Sequence, residues 1–458
     1  MKNRVAATFL LTLLVVVGLG LLHWLPRIEL AGKQLRRVDL LADLRPDVIP
    51  VLADSDTFIL PKPVKPAFVD TCKAGMVCIE DYSDSTMRGM KSFYEALINR
   101  ASLGRPVRIA YFGDSFIEAD IMTGDLRTLL QQKFGGSGVG YVPVASTLSG
   151  YRPTVIHSFN GWSSHAITDS VFFDCKRQDI SNHYFIPRSG ASVTLKGKRN
   201  GDRSDSCSIS TIYFLSSDSI HLSASVNGGN AGHFAFGGDS LMQSASVSGN
   251  IKSVCWKVEH LDSVNTATFY AVTMDPDAGI VLDNFSTRGS NGQQLLHIPS
   301  AVLRRYDQLR TYDLIVLQYG LNVASEQGVN YSYYQTGMQK VVNYLKKEFP
   351  QASILIVGVG DRDYRTENGE LRTMPGVKNL IRFQKALAAE THVAFWNLFE
   401  AMGGEGSMAA LVHQSPSLAN YDYTHINFRG GKHIANLLFE TLVYGKEQYE
   451  KRKAYEMR

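Results

Sequence analysis

Val107-Arg108-Ile109-Ala110-Tyr111-Phe112-Gly113-Asp114-Ser115-Phe116 sets the fold. Val107, Ile109, Tyr111 and Phe112 read as a strand for a buried sheet. Gly113 breaks the run. Asp114 and Ser115 then fall where a strand of an α/β sheet delivers residues to its carboxyl edge. Open α/β sheets place their ligands at that edge. A serine shown there is a candidate nucleophile, provided a base and an oxyanion site reach it. Alone, Gly-Asp-Ser is also an ordinary turn, so the assignment rests on what the remaining chain supplies.

Outward from this strand, the pattern predicts a helix near Ser85 to Ala101 before it. Another follows, with Met122, Leu126, Leu129, Leu130 and Phe134 on one face and Gly135-Gly136 at its end. From about Tyr151 to Met274 the helical period disappears. Short strand-like runs alternate with turns: Ser192–Leu195, Ser210–Phe214, Ile220–Val226, Ser253–Val258 and Ala267–Val272, with Asn227-Gly228-Gly229 and Gly237-Gly238 between them. That texture predicts a β-sandwich. The α/β pattern resumes with strands at Gly279–Leu282, Leu314–Leu317, Ser353–Val357 and Val393–Trp396. Helices are expected near Tyr333–Glu348, Val377–Glu390 and Gly430–Tyr444. The expected fold class is α/β: a doubly wound, mainly parallel sheet with an inserted β-sandwich.

The chain has 458 residues, 44% hydrophobic and 20% charged, with a formal net charge of +4, which allows two or three domains. That charge is small for the length, and no basic stripe carries interleaved aromatics, so nucleic acid is not an expected partner. Lys2 and Arg4 precede an apolar run, Ala6–Leu25, broken only by His23. Its length suits one membrane-spanning helix, with the positive residues left on the cytoplasmic side and the rest of the chain exported. A cleaved signal peptide would lead to the same compartment. Residues 29–70, with Pro46, Pro50, Pro61, Pro63 and Pro66, read as a tether. Of five cysteines, Cys72 and Cys78 are close enough to close a small loop. A second bridge among Cys175, Cys207 and Cys255 is open, with one thiol left over. The cysteine spacing is not that of a zinc site and no His-Glu-x-x-His occurs, so no metal is expected. The tail 446–458 mixes both signs of charge and reads as a solvated helix end.

Asp422 and His425 stand in Tyr421-Asp422-Tyr423-Thr424-His425, before the last helix. A spacing of three turns both side chains the same way if the segment makes a helical turn. The carboxylate then orients the imidazole, which can take a serine proton. Asn322, in Gly320-Leu321-Asn322, follows the strand Leu314–Leu317 at the carboxyl edge, where its amide can donate to an oxyanion. Taken singly, each motif is also a common surface turn.

Together, Gly113-Asp114-Ser115, Gly320-Leu321-Asn322 and Asp422-Tyr423-Thr424-His425 resemble the first, third and fifth blocks of the SGNH (GDSL-type) hydrolase superfamily, in the family's order. Phe116 stands where that family often has Leu. The second block's glycine is assigned to Gly289, with Gly292 and Gly150 as rivals. Within the superfamily the chain is similar to peptidoglycan O-acetylesterases that carry a carbohydrate-binding-module-like sandwich between the first two blocks. The stretches that carry this are Gly113–Asp120, Leu126-Arg127, Phe134–Tyr141, Asp283–Leu295 and Ala401–Met408. The chain is thus expected to divide into an anchor or signal over 1–28, a tether over 29–70, hydrolase parts at 71–150 and 275–445, an insert at 151–274 and a tail at 446–458; the resemblance covers Val107–Tyr151 and Gly279 to about Tyr444, the insert only by position and texture, and leaves the first 70 or so residues outside it. The resemblance implies Ser115 as nucleophile, His425 as base and Asp422 as its orienter. The N–H groups of Ser115 and Gly289 and the side chain of Asn322 hold the oxyanion. Acyl transfer from an ester through serine needs no cofactor.

The expected function is an exported serine esterase that removes O-acetyl groups from a glycan, peptidoglycan first, on the periplasmic side of the cytoplasmic membrane. An O-acetyltransferase with the same triad, and an esterase for another acetylated polysaccharide, are the alternatives; the residues alone do not separate water from sugar as acceptor. A pure glycan-binding role leaves the four ordered blocks unexplained.

Overall fold

The computed structural model describes residues 4–22, 29–30, 33–34, 68–83, 89–198, 203–261 and 266–457. Most of the expected tether, and the start of the helix expected at Ser85, lie outside these residues. The chain divides into a unit ending at Ala67 and a unit from Phe68 to Arg458.

In the first unit Arg4–Leu22 is helical over 19 residues. At 1.5 Å per residue that is about 28 Å, just short of the roughly 30 Å hydrocarbon core of a bilayer. Among the described residues no helix is long and apolar enough to cross a membrane, so the spanning helix expected over Ala6–Leu25 is not supported; residues 23–25 of it lie outside the described residues.

The second unit is built on a six-stranded sheet. Its strands are β1 (Glu80–Asp81), β2 (Val107–Gly113), β12 (Ile280–Ser286), β13 (Leu314–Gln318), β14 (Ser353–Val357) and β15 (Ala394–Trp396), in the order β12-β2-β13-β14-β15-β1. All pairs are parallel except β15 with the edge strand β1. Val107, Ile109, Leu282, Leu314, Ile315 and Leu355 are buried, as near-continuous apolar strands covered on both faces must be. Helices α1 (Lys91–Ile98), α2 (Thr123–Phe134), α3 (Ser300–Arg310), α4 (Ser332–Glu348), α5 (Pro375–Thr391) and α6 (Phe428–Glu456) complete this layer. β2 and β13 pair in register Phe112 with Leu317 and Gly113 with Gln318, so both strands end side by side. Gly113 allows this close approach: a Cβ there would lie 2.9 Å from the Gln318 carbonyl oxygen.

The inserted layer has nine antiparallel strands: β3 (Gly140–Pro143), β4 (Val155–Ala166), β5 (His183–Gly197), β6 (Cys207–Ser216), β7 (Ile220–Val226), β8 (Ala231–Phe236), β9 (Gln243–Ile251), β10 (Ser253–Leu261) and β11 (Ala267–Asp275). The long strand β5 joins them into one barrel-like sheet. Its first part touches β11 at Phe185 and Phe269, and its last part pairs with β10. Trp256 of β10 reaches Ser210 of β6 across the core at 3.2 Å, and Phe214 packs on Phe236. The two faces of the expected sandwich are thus continuous with each other. The insertion also recruits β3, which pairs with β11 ahead of the expected boundary at 151.

Buried charge ties this layer to the parallel sheet. Arg310, fully buried, donates to Asp275 at the end of β11 and to Asp283 in β12, both at 2.7 Å. The hydroxyls of Tyr141 and Tyr306 donate to Asp179 at 2.5 and 2.8 Å. Such groups are costly to bury unless each is paired, so their pairing fixes how the layers meet.

The open cysteine pairing is resolved, and one further expectation is corrected. Cys72 and Cys78 form a disulfide, but Cys175, Cys207 and Cys255 are free thiols, so no second bridge forms. Helix α6 continues through the charged tail to Glu456 and is not merely solvated: Gln448 and Arg452 are buried, and Arg452 lies over the Phe68 ring and pairs with Asp70.

Candidate active site

At the end of β2 the Asp114 side chain accepts from the Phe116 N–H at 2.9 Å and caps a 3₁₀ turn, Ser115–Asp120. This places Ser115, half-buried, at the carboxyl edge. Its Oγ lies 3.1 Å from Nε2 of His425, 310 residues away in sequence. His425 Nδ1 is 2.7 Å from Asp422 Oδ2. A proton on Nδ1 facing the carboxylate leaves Nε2 with a lone pair, so the serine hydroxyl donates to it.

The Asp422–His425 pairing does not use the helical turn expected for it. Tyr423 adopts φ 53°, and the segment folds as a tight turn. Asp422 Oδ1 accepts the backbone N–H groups of Thr424 and His425 at 2.9 and 3.0 Å. Partial burial pushes the Asp422 carboxyl up, but the His425 N–H, the imidazole and the Thr424 N–H outweigh it and hold it below the usual range. It therefore stays ionised beside the imidazole at neutral pH.

The turn Thr287–Ser290 is joined to the same edge. The Thr287 N–H donates to the Gly113 carbonyl at 2.9 Å, and Gly289 takes φ 76°, a left-handed conformation that suits glycine. Asn322 Nδ2 donates to the Ser290 carbonyl at 2.9 Å and, more loosely, to Asp114 Oδ2 at 3.3 Å. Ser115, Gly289 and Asn322 thus sit on three segments bonded to one another. The rival Gly292 donates its N–H to Ser290 Oγ at 2.9 Å and is packed by Tyr319 and Met338, so it is turned away. Gly150 lies in the loop before β4.

Ser115, Asp422 and His425 line a cavity of about 590 Å³, together with Glu118, Tyr151 and Arg288. A second cleft, about 710 Å³, runs beneath the inserted layer and includes Tyr141, His183 and Asn284. Among the described residues no cluster of side chains could hold a metal ion. The arrangement can deprotonate a serine hydroxyl and has donor-bearing segments beside it.

Three acids near the site carry roles that the sequence reading did not assign to them. Asp114 is buried, and its loss of hydration pushes its carboxyl up to about 6 against the Phe116 N–H. Asp120 is buried and accepts from Arg127, Arg152, Thr123, Thr154 and Asn284. Glu118 pairs with Arg288. The available signal was adjacency: all three acids lie within Gly113–Asp120, and Arg288 precedes Gly289.

No family model matches the chain, and no curated protein does. Solved structures do. A peptidoglycan O-acetylesterase superposes with a TM-score of 0.65 at 21% identity, covering 81% of this chain and 99% of that one. A family two carbohydrate esterase from Clostridium thermocellum is 11% identical, with a TM-score of 0.27, covering 62% of this chain and 97% of its own. A GDSL-like lipase from Parabacteroides merdae is 17% identical, with a TM-score of 0.26, covering 37% of this chain and 74% of its own. The last two overlap too loosely to bear on the architecture. The first shows that this chain shares that protein's fold, a parallel sheet with an antiparallel insertion.

Proposed function

We propose that this chain, on its SGNH hydrolase-like fold, is an exported serine esterase that removes O-acetyl groups from a glycan, with peptidoglycan as the leading substrate. The observation that carries this is the continuous line of hydrogen bonds from Asp422 through His425 to Ser115, at 2.7 and 3.1 Å, opening into a cavity of about 590 Å³. Ser115 Oγ attacks the acetyl carbonyl carbon while His425 Nε2 takes its proton. The tetrahedral oxyanion is held by the N–H groups of Ser115 and Gly289 and by Asn322 Nδ2, whose long 3.3 Å bond to Asp114 is the one an oxyanion replaces. The C–O bond to the sugar then breaks, and His425 returns the proton to the departing alkoxide. Water, activated by the same imidazole, cleaves the acetyl-serine to acetate.

Water is favoured over a sugar acceptor because the site is open: the His425 and Asp422 side chains are 41% and 49% exposed. The peptidoglycan O-acetylesterase whose fold this chain shares supports the substrate class. Export is supported by the Cys72–Cys78 disulfide and by Lys2 and Arg4 ahead of the apolar N-terminal run.

The test is acetate release from O-acetylated peptidoglycan beside acetylated xylan. The reading expects faster release from peptidoglycan. Preferential release from xylan would move the substrate, and acetylated oligosaccharide as the main product would make the protein a transferase.

A further inference from the structure

The cavity at Ser115 and the larger cleft beneath the inserted layer share a boundary made of Glu118, Ala119, Leu148 and Arg288. Arg288 Nε donates to Glu118 Oε1 at 3.0 Å, and Nη2 donates to the other carboxylate oxygen, so the pair is two-pronged. The two partners differ sharply in exposure. The arginine side chain is 72% exposed and the glutamate 14%, so the guanidinium presents its outer edge to both clefts.

Other charges in these linings are committed elsewhere. Arg152 is largely buried and donates to Asp120. His157 is held neutral at pH 7, because burial pushes it down to about 4. His183 Nδ1 faces the Ser181 carbonyl at 2.7 Å. Asp169 accepts the Ala166 N–H, and Asp422 serves His425. Arg288 is therefore the exposed cation that a glycan crossing from one cleft to the other must pass.

Building on the esterase reading, we propose that Arg288 is a specificity-determining contact: held by Glu118 through Nε and Nη2, it offers its outer Nη edge to a carboxylate on the bound glycan, selecting an acidic chain. Glu118, only 14% exposed, keeps its partner, so no buried carboxylate is left unpaired. The planar guanidinium can hold one carboxylate on each of two edges in a two-pronged geometry, which an ammonium cannot. Arg288 also directly precedes Gly289, so the carboxylate it holds belongs to the acetylated sugar or its neighbour.

The test uses the full chain carrying Ser115→Ala, which should hold glycan without turnover. Two probes are titrated by calorimetry: peptide-free peptidoglycan strands with free lactyl carboxylates, and the same strands with those carboxyls reduced to alcohols. The carboxylate strands should bind at least fivefold more tightly. Adding Arg288→Ala should abolish the preference, and Arg288→Lys should restore only part of it. Equal affinity for both strands, no binding of either, or a preference that survives Arg288→Ala would overturn the proposal. Acetate release by the unmutated protein is a separate measurement, so a failed esterase reading is distinguishable from a failed selectivity.

Discussion

Asp120→Asn should destabilise the Phe68–Arg458 unit and slow the site at once. Asp120 receives six donor contacts, three on each oxygen: Thr123, Arg127 and Asn284 on Oδ1, and Arg127, Arg152 and Thr154 on Oδ2. Its side chain is fully buried, and those of Arg127 and Arg152 are 2% and 11% exposed. Asparagine keeps the shape but removes the charge and turns one acceptor into a donor, so three donors are opposed whichever way the amide points. Removing one partner of a buried ion pair costs about 3–5 kcal/mol. The unit's unfolding entropy is about 0.8 kcal/mol/K, so Tm should fall by about 4–6 °C.

The pH dependence follows from the same contacts. Burial raises the Asp120 carboxyl, but Arg127 and Arg152 outweigh it and depress it far below the usual range. A depressed folded value contributes stability that is fully present above the unfolded pKa and lost as pH falls. The gap between wild type and variant should therefore narrow by about 1 kcal/mol between pH 7 and pH 3. Ala119 and Asp120 both take left-handed backbone, φ 52° and 63°, four and five residues after Ser115. Loosening that turn should lower kcat on p-nitrophenyl acetate by about tenfold or more. Thermal melts at both pH values and steady-state kinetics measure all three effects. A Tm within 1 °C of wild type at pH 7 would refute the claim that Asp120 holds the turn to the inserted layer.

Two other changes separate the neighbouring roles. Asn322→Ala should lower kcat by about 10²–10³ with little change in KM, as expected for a donor to charge that develops in the transition state; a loss confined to KM would make Asn322 a substrate contact. Asp114→Asn tests a carboxyl pushed up to about 6 by burial. A raised folded value means stability present at low pH and lost as pH rises through about 6, worth about 3 kcal/mol by pH 8. Because asparagine cannot ionise, the Tm of the variant relative to wild type should climb between pH 4 and pH 8, and a flat difference would contradict that account.

What could be read from the sequence depended on how local the signal was. The nucleophile strand, the Asn322 turn and the Asp422–His425 pair each lie within a few consecutive residues, so their chemistry is legible even though Ser115 and His425 are 310 residues apart. The apolar strands of the parallel sheet were legible for the same reason. Strand β9, Gln243–Ile251, was not: its run of serines reads as loop, and only pairing with β6 makes it a strand. β3 lies beside Gly-rich sequence and becomes part of the insertion through β11. The end of α6 looked solvated because Gln448 and Arg452 are polar, and only Phe68 and Asp70 give Arg452 a reason to be buried. The Glu118–Arg288 pair and the Asp120 network join segments far apart in the chain, and no periodicity announces such a meeting.

The measurement that bears most directly on the central claim is acetate release from O-acetylated peptidoglycan by the wild-type chain and by Ser115→Ala, with melting curves showing that both are folded. The account predicts at least about a 10³-fold loss of turnover, since removing the nucleophile leaves only binding and oxyanion stabilisation. A folded Ser115→Ala protein that releases acetate within tenfold of the wild-type rate would contradict it.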